Sequence, residues 1–306
     1  TTTIMAAIAH SPITTQHAVS QQKNPIAPFI DSAVIQNRSA QDYVVTGSYE
    51  ENGETIYCIG NFDGHGHGEH GNIIINAIRN LNFIEIMRHD NPIASIRAAL
   101  PKDRRVENSG STACLVKIYT DRAVVWWIGD SEIMIFDGEK MVFKNTKHDT
   151  DYGPDVVNLT MSEVAVKEVG KKNKALVVDE NTMEMVHSAY MYFPSINSRF
   201  NMTRALGHCN VSDDADTAII PFKQGKKYTI FTCSDGVGDM LQKDGNDEPF
   251  IVAPNTTPMQ IAEWARARWR QQWSFKGYDP KYKCAYPPDN TDDISCALFK
   301  HAEPVP

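Results

Sequence analysis

Residues 56–66 read IYCIGNFDGHG, an apolar, strand-like run that ends in an acidic turn rich in glycine. A similar run at Tyr228–Cys233 leads into a second acidic turn at Ser234–Gly236. A third acidic segment, Thr291–Asp293, instead precedes the apolar run Ile294–Phe299. Carboxylates at strand ends can converge on one rim of a folded sheet, where they repel one another unless protons or cations neutralise them. The three segments therefore indicate a site for hard divalent cations, which prefer oxygen ligands.

The apolar pattern predicts an antiparallel α+β protein. The predicted strands are 43–49, 55–62, 111–119, 123–128, 132–136, 140–143, 228–233 and 294–299. Apolar residues at helical spacing predict helices over Asn72–His89, after Pro92 and over Thr257–Trp273. Short turns such as Asn52-Gly53 join the strands, and the helices are grouped between them, which favours antiparallel layering over a βαβ pattern.

Composition and charge narrow the functional classes. The 306 residues, 42% of them hydrophobic, suit one large domain or two small ones with a sizeable core. A net charge of -8 without a basic stripe argues against nucleic-acid binding. No run of about 20 apolar residues is present, so the sequence predicts no membrane-spanning helix.

The cysteines indicate a reducing compartment. None of the six forms a C-x-x-C pair, and Cys58, Cys114, Cys233 and Cys296 lie inside apolar runs. This pattern argues against a disulfide framework or a zinc ribbon and favours a cytoplasmic or nuclear location. The segment Thr1–Ala9 lacks a cationic leader, and we interpret it as a trimmed or processed end rather than a signal peptide.

Seven short motifs then point to a family. They are RSAQD at 38–42, FDGHG at 62–66, SGSTA at 109–113, IGDS at 128–131, TRALG at 203–207, SDGVGD at 234–239 and DDIS at 292–295. In this order the series resembles the protein phosphatase 2C family, the metal-dependent Ser/Thr protein phosphatases. A single DGHG is weak evidence, but chance matches would not keep the order of all seven. The resemblance implies a four-layer α-β-β-α sandwich of two antiparallel sheets flanked by helices, acting on phosphorylated proteins.

The resemblance also implies catalytic roles. Asp63 would bridge two Mg²⁺ or Mn²⁺ ions, the backbone carbonyl of Gly64 would complete one metal site, and Asp235 and Asp292 would complete the other. A hydroxide bridging the ions would attack the phosphorus of phosphoserine or phosphothreonine directly. His65 would protonate the departing alkoxide as the general acid.

Further residues are assigned by the same resemblance. Asp42 would hold a metal-bound water. Asp130 and Asp239, beside Asp235, are candidate ligands of a third cation. Arg38 is the candidate phosphate-binding residue, because a guanidinium binds phosphate bidentately.

Four positions depart from the family pattern. Arg38 lies four residues before Asp42, whereas the family's phosphate-binding arginine usually lies five before. Gln41 replaces a residue that is often acidic, which would weaken the second metal site. Glu132 stands where arginine commonly follows Gly-Asp-Ser, and His208 stands where aspartate commonly follows Arg-Ala-Leu-Gly. We interpret the last two as changes of packing or surface charge.

Other interpretations of the same residues stay open. A phosphatase-like scaffold or regulatory binding protein with an impaired metal site is the alternative to an enzyme. His65, His67 and His70 offer a zinc site, although no cysteine or acidic residue stands at a convincing spacing beside them. Asp289 offers a rival register for Asp292, which we prefer because it lies at the start of the apolar strand.

The domain organisation follows from the same scan. Residues 1–30 are predicted to form an N-terminal arm, and residues 31–306 a single phosphatase 2C-like catalytic domain. The polar, irregular stretch 149–197 is the candidate variable flap of that domain. The sequence shows no internal repeat and no linker, and we expect a monomer that binds neither nucleic acid nor membrane.

Overall fold

Two antiparallel sheets with helices on their outer faces make up the fold. The computed structural model describes residues 27–37, 39–66, 68–102, 104–149, 177–178, 185–186, 191–193, 198–200, 202–208, 211–242, 249–271 and 291–302. Within the part described, the helices are α1 (Ile73–Arg79), α2 (Phe83–Arg88), α3 (Pro92–Ala99), α4 (Asp235–Gln242) and α5 (Pro258–Trp269). Short 3-10 helices cover Gly68–His70, Arg104–Asn108 and Pro249–Val252.

The larger sheet has seven strands and is centred on the longest of them, β3. Its strands are β2 (Asp42–Glu51), β3 (Glu54–Gly66), β4 (Ser109–Ser111), β5 (Ala113–Ile118), β6 (Arg122–Ile128), β13 (Leu206–Gly207) and β14 (Asp216–Pro221). The strand order is β13-β4-β3-β5-β6-β14. The remaining strand, β2, lies off this path and also pairs with β3. The hairpin between β2 and β3 turns at Asn52-Gly53, which brings Asp42 directly opposite Asp63.

The smaller sheet has five strands in the order β1-β16-β15-β7-β8. They are β1 (Phe29–Ile35), β7 (Glu132–Asp137), β8 (Lys140–Lys144), β15 (Tyr228–Cys233) and β16 (Ile294–Lys300). Every residue of β15 is buried, because this strand lies in the middle of the sheet and both of its faces are covered. Two short ribbons pair β9 (Val177–Val178) with β10 (Met185–Val186) and β11 (Met191–Phe193) with β12 (Ser198–Phe200).

Three apolar layers hold the sandwich together. Side chains buried between the two sheets include Ile59, Val116, Val125, Ile135, Ile230 and Phe299. On the outside, α1 to α3 pack on the larger sheet, and α4 and α5 pack on the smaller sheet. Trp126 and Trp127 are both buried and point to opposite sides of β6, into the helix layer and the inter-sheet layer respectively. The predicted four-layer α-β-β-α sandwich is confirmed.

The helix predictions need one correction. The single helix predicted over 72–89 is two helices, α1 and α2, because Asn82 accepts a hydrogen bond from the backbone N–H of Glu85 and so starts a new helix. The helix after Pro92 is present as α3. The helix predicted from Thr257 is α5, where Thr257 and Gln260 form a capping box. It ends at Trp269 rather than Trp273.

Each predicted strand is present to within one or two residues, with two exceptions. The strand β3 continues to Gly66, through the segment predicted as an acidic turn, and the predicted strand 111–119 is split at Thr112 between β4 and β5. The edge strands β1, β13 and β14 were not predicted, nor were the short strands β9 to β12. β1 pairs with β16, β13 with β4 and β14 with β6. The strand β1 begins at Phe29, near the end of the predicted arm, and residues 1–26 lie outside the part described. Most of the predicted flap over 149–197 also lies outside it.

The buried cysteines fit their prediction as small apolar residues. Cys58, Cys114, Cys233 and Cys296 are free and fully buried, and burial raises the pKa of each thiol. The helices found in the described ranges are all too short or too polar to cross a membrane.

Candidate functional site

The first acidic pair comes from the hairpin of the larger sheet. Directly opposed residues of an antiparallel pair point to the same face, so the register of β2 and β3 places Asp42 and Asp63 side by side. The backbone of Asp63 is fixed by Thr112, whose Oγ1 accepts from the Asp63 N–H at 3.0 Å. The Thr112 N–H in turn donates to the Asp63 carbonyl at 2.9 Å. The hairpin therefore presents both carboxylates from a rigid backbone.

The second group of acids comes from the smaller sheet. Asp235 is the first residue of α4, directly after β15, and Asp292 lies just before β16, the neighbouring strand. Gly236, the second residue of α4, lies so close to the backbone of Asp293 that a Cβ at position 236 would overlap the Asp293 carbonyl oxygen. Only glycine permits this approach, and it brings the start of α4 against the start of β16.

Asp292 and Asp293 have different surroundings. Asp292 is exposed, whereas Asp293 is buried and accepts hydrogen bonds from the loop between β1 and β2. The donors to Asp293 are the backbone N–H of Asn37, the hydroxyl of Ser39 at 2.6 Å and the backbone N–H of Gln41 at 2.7 Å. Asp293 therefore anchors that loop, and Asp292 faces the acidic group.

The two groups of acids meet. Burial, followed by the charges of Asp235, Asp42, Asp292 and Asp130, raises the pKa of Asp63 well above its usual value. The carboxylates thus come from both sheets and act on one another. A set of this kind is stable only with protons or cations among its members.

Asp235 and Asp63 influence each other's ionisation. Burial and the charge of Asp239 raise the pKa of Asp235, and a hydrogen bond with the Asp63 side chain opposes that rise. The pKa of Asp292 is raised as well, by desolvation and by the charges of Asp235, Asp42 and Asp239. The residue as a whole is exposed, but its carboxyl group is influenced by the other acids.

Asp42 is buried with little compensation. Its burial raises its pKa to about 7, against the opposing effect of the nearby Ser234 and Ser295 hydroxyls. The Ser295 hydroxyl donates to Asn61 Oδ1 at 3.2 Å, and the Ser234 hydroxyl is directed to the Ser295 carbonyl at 3.5 Å. Accordingly, neither carboxylate oxygen of Asp42 has a partner at hydrogen-bonding geometry among the described residues.

The donor set fits a hard cation. Buried oxygens of Asp42, Asp130 and Asp235 have no hydrogen-bond partner within the described part of the chain, and burial with the Asp235 charge raises the pKa of Asp130 to about 7. Carboxylate oxygens of this kind are the ligands that Mg²⁺ and Mn²⁺ prefer. Among the described residues, no three His, Cys, Asp or Glu side chains are spaced to hold one ion as they stand. It is the donor chemistry of these residues, and not their spacing, that fits a divalent cation.

Gly64 is the predicted carbonyl ligand. A Cβ at this position would lie 2.8 Å from both the Gln41 carbonyl oxygen and Ile75 Cβ, so no side chain is accommodated. The Gly64 N–H donates to the Gln41 carbonyl at 3.0 Å. The backbone is therefore held against the loop that Asp293 anchors.

His65 extends from the end of β3 beside a second imidazole. Its ring makes an edge-to-face contact with His208, with centroids 4.5 Å apart, and its Nε2 contacts the sulfur of Met202. Both rings lie over Gly110, where a Cβ would come within 2.5 Å of His65 Cε1. His208 is buried and has a left-handed backbone with φ of 38°, an arrangement that surrounding structure must impose. The expectation that His208 affects packing agrees with its burial.

Glu132 lies in the interior, where its charge is paired. Its carboxylate is fully buried and forms ion pairs with Lys144 Nζ at 2.6 Å and Lys147 Nζ at 2.7 Å. The attraction of these two ammonium groups outweighs the opposing effect of burial, so that the pKa of Glu132 is lowered. Of the two effects expected at this position, the structure supports packing and not a change of surface charge.

Several sequence-predicted residues contribute little or cannot be placed. Arg38, His67 and Asp289 lie outside the described residues. His70 is exposed in the 3-10 helix after β3. Gln41 does not point a free amide at the acids, because its Nε2 donates to Asn72 Oδ1 at 2.7 Å and to the Gly66 carbonyl at 3.3 Å.

Sequence reasoning missed the roles of Asp293, Lys147 and His208. The doublet Asp292-Asp293 carried a signal, because alternate residues leading into a strand face opposite sides and only one of them can face the acids. Lys147 lies in an irregular segment without periodicity, and nothing local marks it. His208 was marked as a departure from the family motif, but its contact with His65 was not predicted.

The fold matches solved serine/threonine phosphatases. The crystal structure of the phosphatase Stp1 from Staphylococcus aureus aligns with 92% of this chain and 99% of its own, at 14% identity and a TM-score of 0.50. The phosphatase of S. agalactiae aligns at 18% identity (89% and 99% covered, TM-score 0.46), and PstP/Ppp of Mycobacterium tuberculosis at 13% identity (91% and 100%, 0.47). No family model and no curated protein gives a significant sequence match. The chain has the fold of the protein phosphatase 2C-type enzymes.

Proposed function

We propose that this chain is a metal-dependent serine/threonine protein phosphatase, which hydrolyses phosphoserine and phosphothreonine monoesters on proteins. One observation supports the proposal above all: carboxylates from both sheets converge on Asp63. Burial and the charges of Asp235, Asp42, Asp292 and Asp130 raise the pKa of Asp63. The fold is compatible, since the Stp1 structure that it matches is a serine/threonine phosphatase.

Asp63, Asp235, Asp292 and the carbonyl of Gly64 would hold a pair of Mg²⁺ or Mn²⁺ ions, with Asp42 orienting their water. When bound, such a pair neutralises phosphate charge and makes water a stronger nucleophile near neutral pH. The protein itself supplies the scaffold, since the β2–β3 register and the Thr112 hydrogen bonds fix the positions of Asp42 and Asp63.

His65 would donate a proton to the leaving oxygen of the serine or threonine. Its ring lies at the end of β3, two residues beyond Asp63, and is confined between His208 and Met202. Confinement of the ring would favour proton transfer, because a general acid held in one orientation can serve a leaving oxygen at a fixed position. Arg38 stays the proposed phosphate-binding residue, and its neighbours Asn37 and Ser39 are anchored by Asp293.

Phosphopeptide hydrolysis tests the proposal. The wild-type protein should release phosphate from phosphoserine and phosphothreonine peptides with Mn²⁺ or Mg²⁺ and not with EDTA. Asp235→Asn should lower the rate by about 100-fold or more. The substitution removes a negative charge that would hold the cations, and the cations would stabilise the charge that develops at phosphorus. Asp90→Asn is the matched control, because Asp90 is exposed and distant in the sequence from every motif, and it should behave as wild type.

The opposite result would favour a phosphatase-like scaffold. That alternative draws support from Gln41, whose amide nitrogen is engaged by Asn72 and Gly66. A well-folded wild-type protein without turnover at millimolar Mn²⁺ would contradict the enzyme and leave a phosphoprotein-binding role.

A further inference from the structure

The ring of His208 packs directly against the ring of His65, the candidate general acid. The two imidazoles meet edge to face, with their centroids 4.5 Å apart and their planes at 72°. His208 is buried, so its ring reaches His65 from inside the protein. Edge-to-face packing is a preferred arrangement of aromatic rings, and rotation of the His65 ring would give up this contact. The contact therefore favours one orientation of the His65 imidazole.

The space for both rings comes from Gly110 on β4. The strand register places Gly110 opposite His65 on one side and opposite Gly207, the residue before His208, on the other. A Cβ at position 110 would overlap His208 Cδ2 and come within 2.5 Å of His65 Cε1. The two imidazoles thus share the place that a side chain of β4 would occupy.

The backbone of His208 is anchored, so the ring cannot simply follow His65 when that side chain turns. The His208 N–H donates to the Ser109 carbonyl at 3.0 Å, and the His208 carbonyl accepts from the Val211 N–H at 3.0 Å. Ser109 is itself tied to the start of α1, because its hydroxyl accepts from the Ile74 N–H at 3.0 Å and donates to the Gly71 carbonyl at 2.8 Å. His208 also keeps a left-handed backbone, with φ of 38°, that the surrounding structure must impose.

We propose that His208 is a positioning residue for proton transfer: it holds the His65 imidazole in the orientation that serves the leaving oxygen of phosphoserine or phosphothreonine. The inference rests on the proposed function, in which His65 donates that proton. His208 acts through His65 in this scheme, so its contribution is limited to substrates whose leaving group needs a proton. Orientation matters at this step, since a misplacement of about 1 Å can cost about 100-fold in rate.

His208→Asn is the variant that tests this role, because asparagine removes the imidazole and tolerates a left-handed backbone. It should lower kcat on phosphoserine peptides by about tenfold and leave kcat on an aryl phosphate within about twofold of the wild type, with KM unchanged for both substrates. In a His65→Gln background, His208→Asn should cause no further loss, since no ring is left to position. Steady-state kinetics at saturating Mn²⁺ on the two single variants and the double variant measures this dependence.

His301→Asn is the matched control. The His301 ring also meets aromatic rings edge to face, with centroids 5.1 Å from those of Phe222 and Phe299. It lies beside Tyr228, at the end of β15 opposite to Asp235. His301→Asn should therefore keep the wild-type rates on both substrates.

NMR of the imidazoles gives a second measurement that does not require turnover. The metal-free wild type should show a nuclear Overhauser effect between the ring protons of His65 and His208, and carbon relaxation of an ordered His65 ring. The signals of each ring are assigned by their loss in His65→Gln and His208→Asn. In His208→Asn the His65 ring should become more mobile on the picosecond to nanosecond timescale.

A His65 ring that is mobile in the wild type, or equally ordered in a folded His208→Asn variant, would overturn the inference. If His208→Asn does not fold, the wild-type spectrum alone decides, by the same ring contact and relaxation. Equal losses on the alkyl and aryl substrates in His208→Asn would end the positioning role and leave the proposed function standing. A wild type without turnover would end the proposed function and this role together.

Discussion

At the scale of the residue, adjacent aspartates serve different ends. Asp293 satisfies its carboxylate with Asn37, Ser39 and Gln41, and a charge so solvated by donors is inexpensive to bury. Asp42 is equally buried, yet its oxygens lack partners within the described residues. Polar groups left in this state mark sites where a fold gives up stability for function. The contrast separates a carboxylate that anchors a loop from one that the described residues leave without a hydrogen-bond partner.

The proton-donor role of His65 is testable by changing the leaving group. His65→Gln should lower the rate on phosphoserine peptides by about 100-fold or more, because an alkoxide needs a proton as it departs. The loss on an aryl phosphate, whose phenolate leaves unassisted, should be about tenfold or less. Steady-state kinetics on both substrates at saturating Mn²⁺ measures the difference.

A matched control is available in the 3-10 helix that follows β3. His70 is exposed, and His70→Gln should leave both rates unchanged. Equal losses on the alkyl and aryl substrates in His65→Gln would argue that the ring is structural, supporting His208 or Met202 rather than donating a proton.

Residue chemistry made part of the site predictable from the sequence. In the sequence, Asp63, Asp235 and Asp292 stand beside apolar runs, and the neighbouring strands of the fold bring residues at these positions together. The position of Lys147 depends on Glu132 turning inward, and that depends on Gly238 leaving room in α4. No pattern of a single segment contains this information, because it arises from the packing of three segments.

At the scale of the element, edge strands and helix breaks were hardest to predict. The central strands β5 and β15 are buried on both faces and read as continuous apolar runs. In the edge strands β1 and β14, exposed residues alternate with partly buried ones, and polar and apolar residues are mixed, as in the sequence DTAIIP at 216–221. From the sequence alone, these segments resemble loops. The break between α1 and α2 depends on Asn82 capping the second helix, a local hydrogen bond that the apolar periodicity conceals.

The contact between α4 and β16 predicts the effect of a single methyl group. Gly236→Ala should destabilise the protein by about 1–3 kcal/mol or more, since the new Cβ overlaps the Asp293 carbonyl and backbone must move to relieve it. The displacement should also weaken Mn²⁺ binding, because Asp235 precedes the glycine. Urea denaturation and Mn²⁺ titration measure the two effects.

Gly138→Ala separates this overlap from simple backbone strain. Gly138 has φ of 62°, and a Cβ added there would meet no atom within 4 Å, so alanine should cost about 1–2 kcal/mol from its conformation alone. Its Mn²⁺ affinity should be that of the wild type. A Gly236→Ala variant with unchanged metal affinity would show that α4 does not position Asp235.

At the scale of the whole molecule, the acidic group exists only after both sheets have packed together. Asp42 and Asp63 come from the larger sheet, whereas Asp235 and Asp292 come from the smaller one, and β16 contacts both β2 and β3. Folding therefore drives like charges together, at a cost that the inter-sheet core must offset. That cost depends on pH and on cations, and both can be varied.

The metal-free protein should lose stability as pH rises. Asp42 and Asp130 have a folded pKa of about 7 against an ordinary value of 3.8. Between about pH 4 and pH 7 the folded chain therefore binds more protons than the unfolded chain, and unfolding releases them. Stability contributed by these protons is present below the unfolded pKa and is lost as pH approaches 7, on the order of 1 kcal/mol per pH unit.

Divalent cations should reverse this loss. Above about pH 7 Asp42 and Asp130 are ionised, which favours cation binding. A ligand at about 100 times its Kd stabilises the folded state by about 2.7 kcal/mol. Urea denaturation from about pH 5 to pH 8, with EDTA and with millimolar Mg²⁺, gives the two curves. Asp42→Asn should flatten the EDTA curve, since it removes one of the titrating carboxyls, whereas Asp90→Asn should not. An EDTA curve that rises with pH would mean that the acids are ionised without cost, and the convergence of charges at Asp63 would then be wrong.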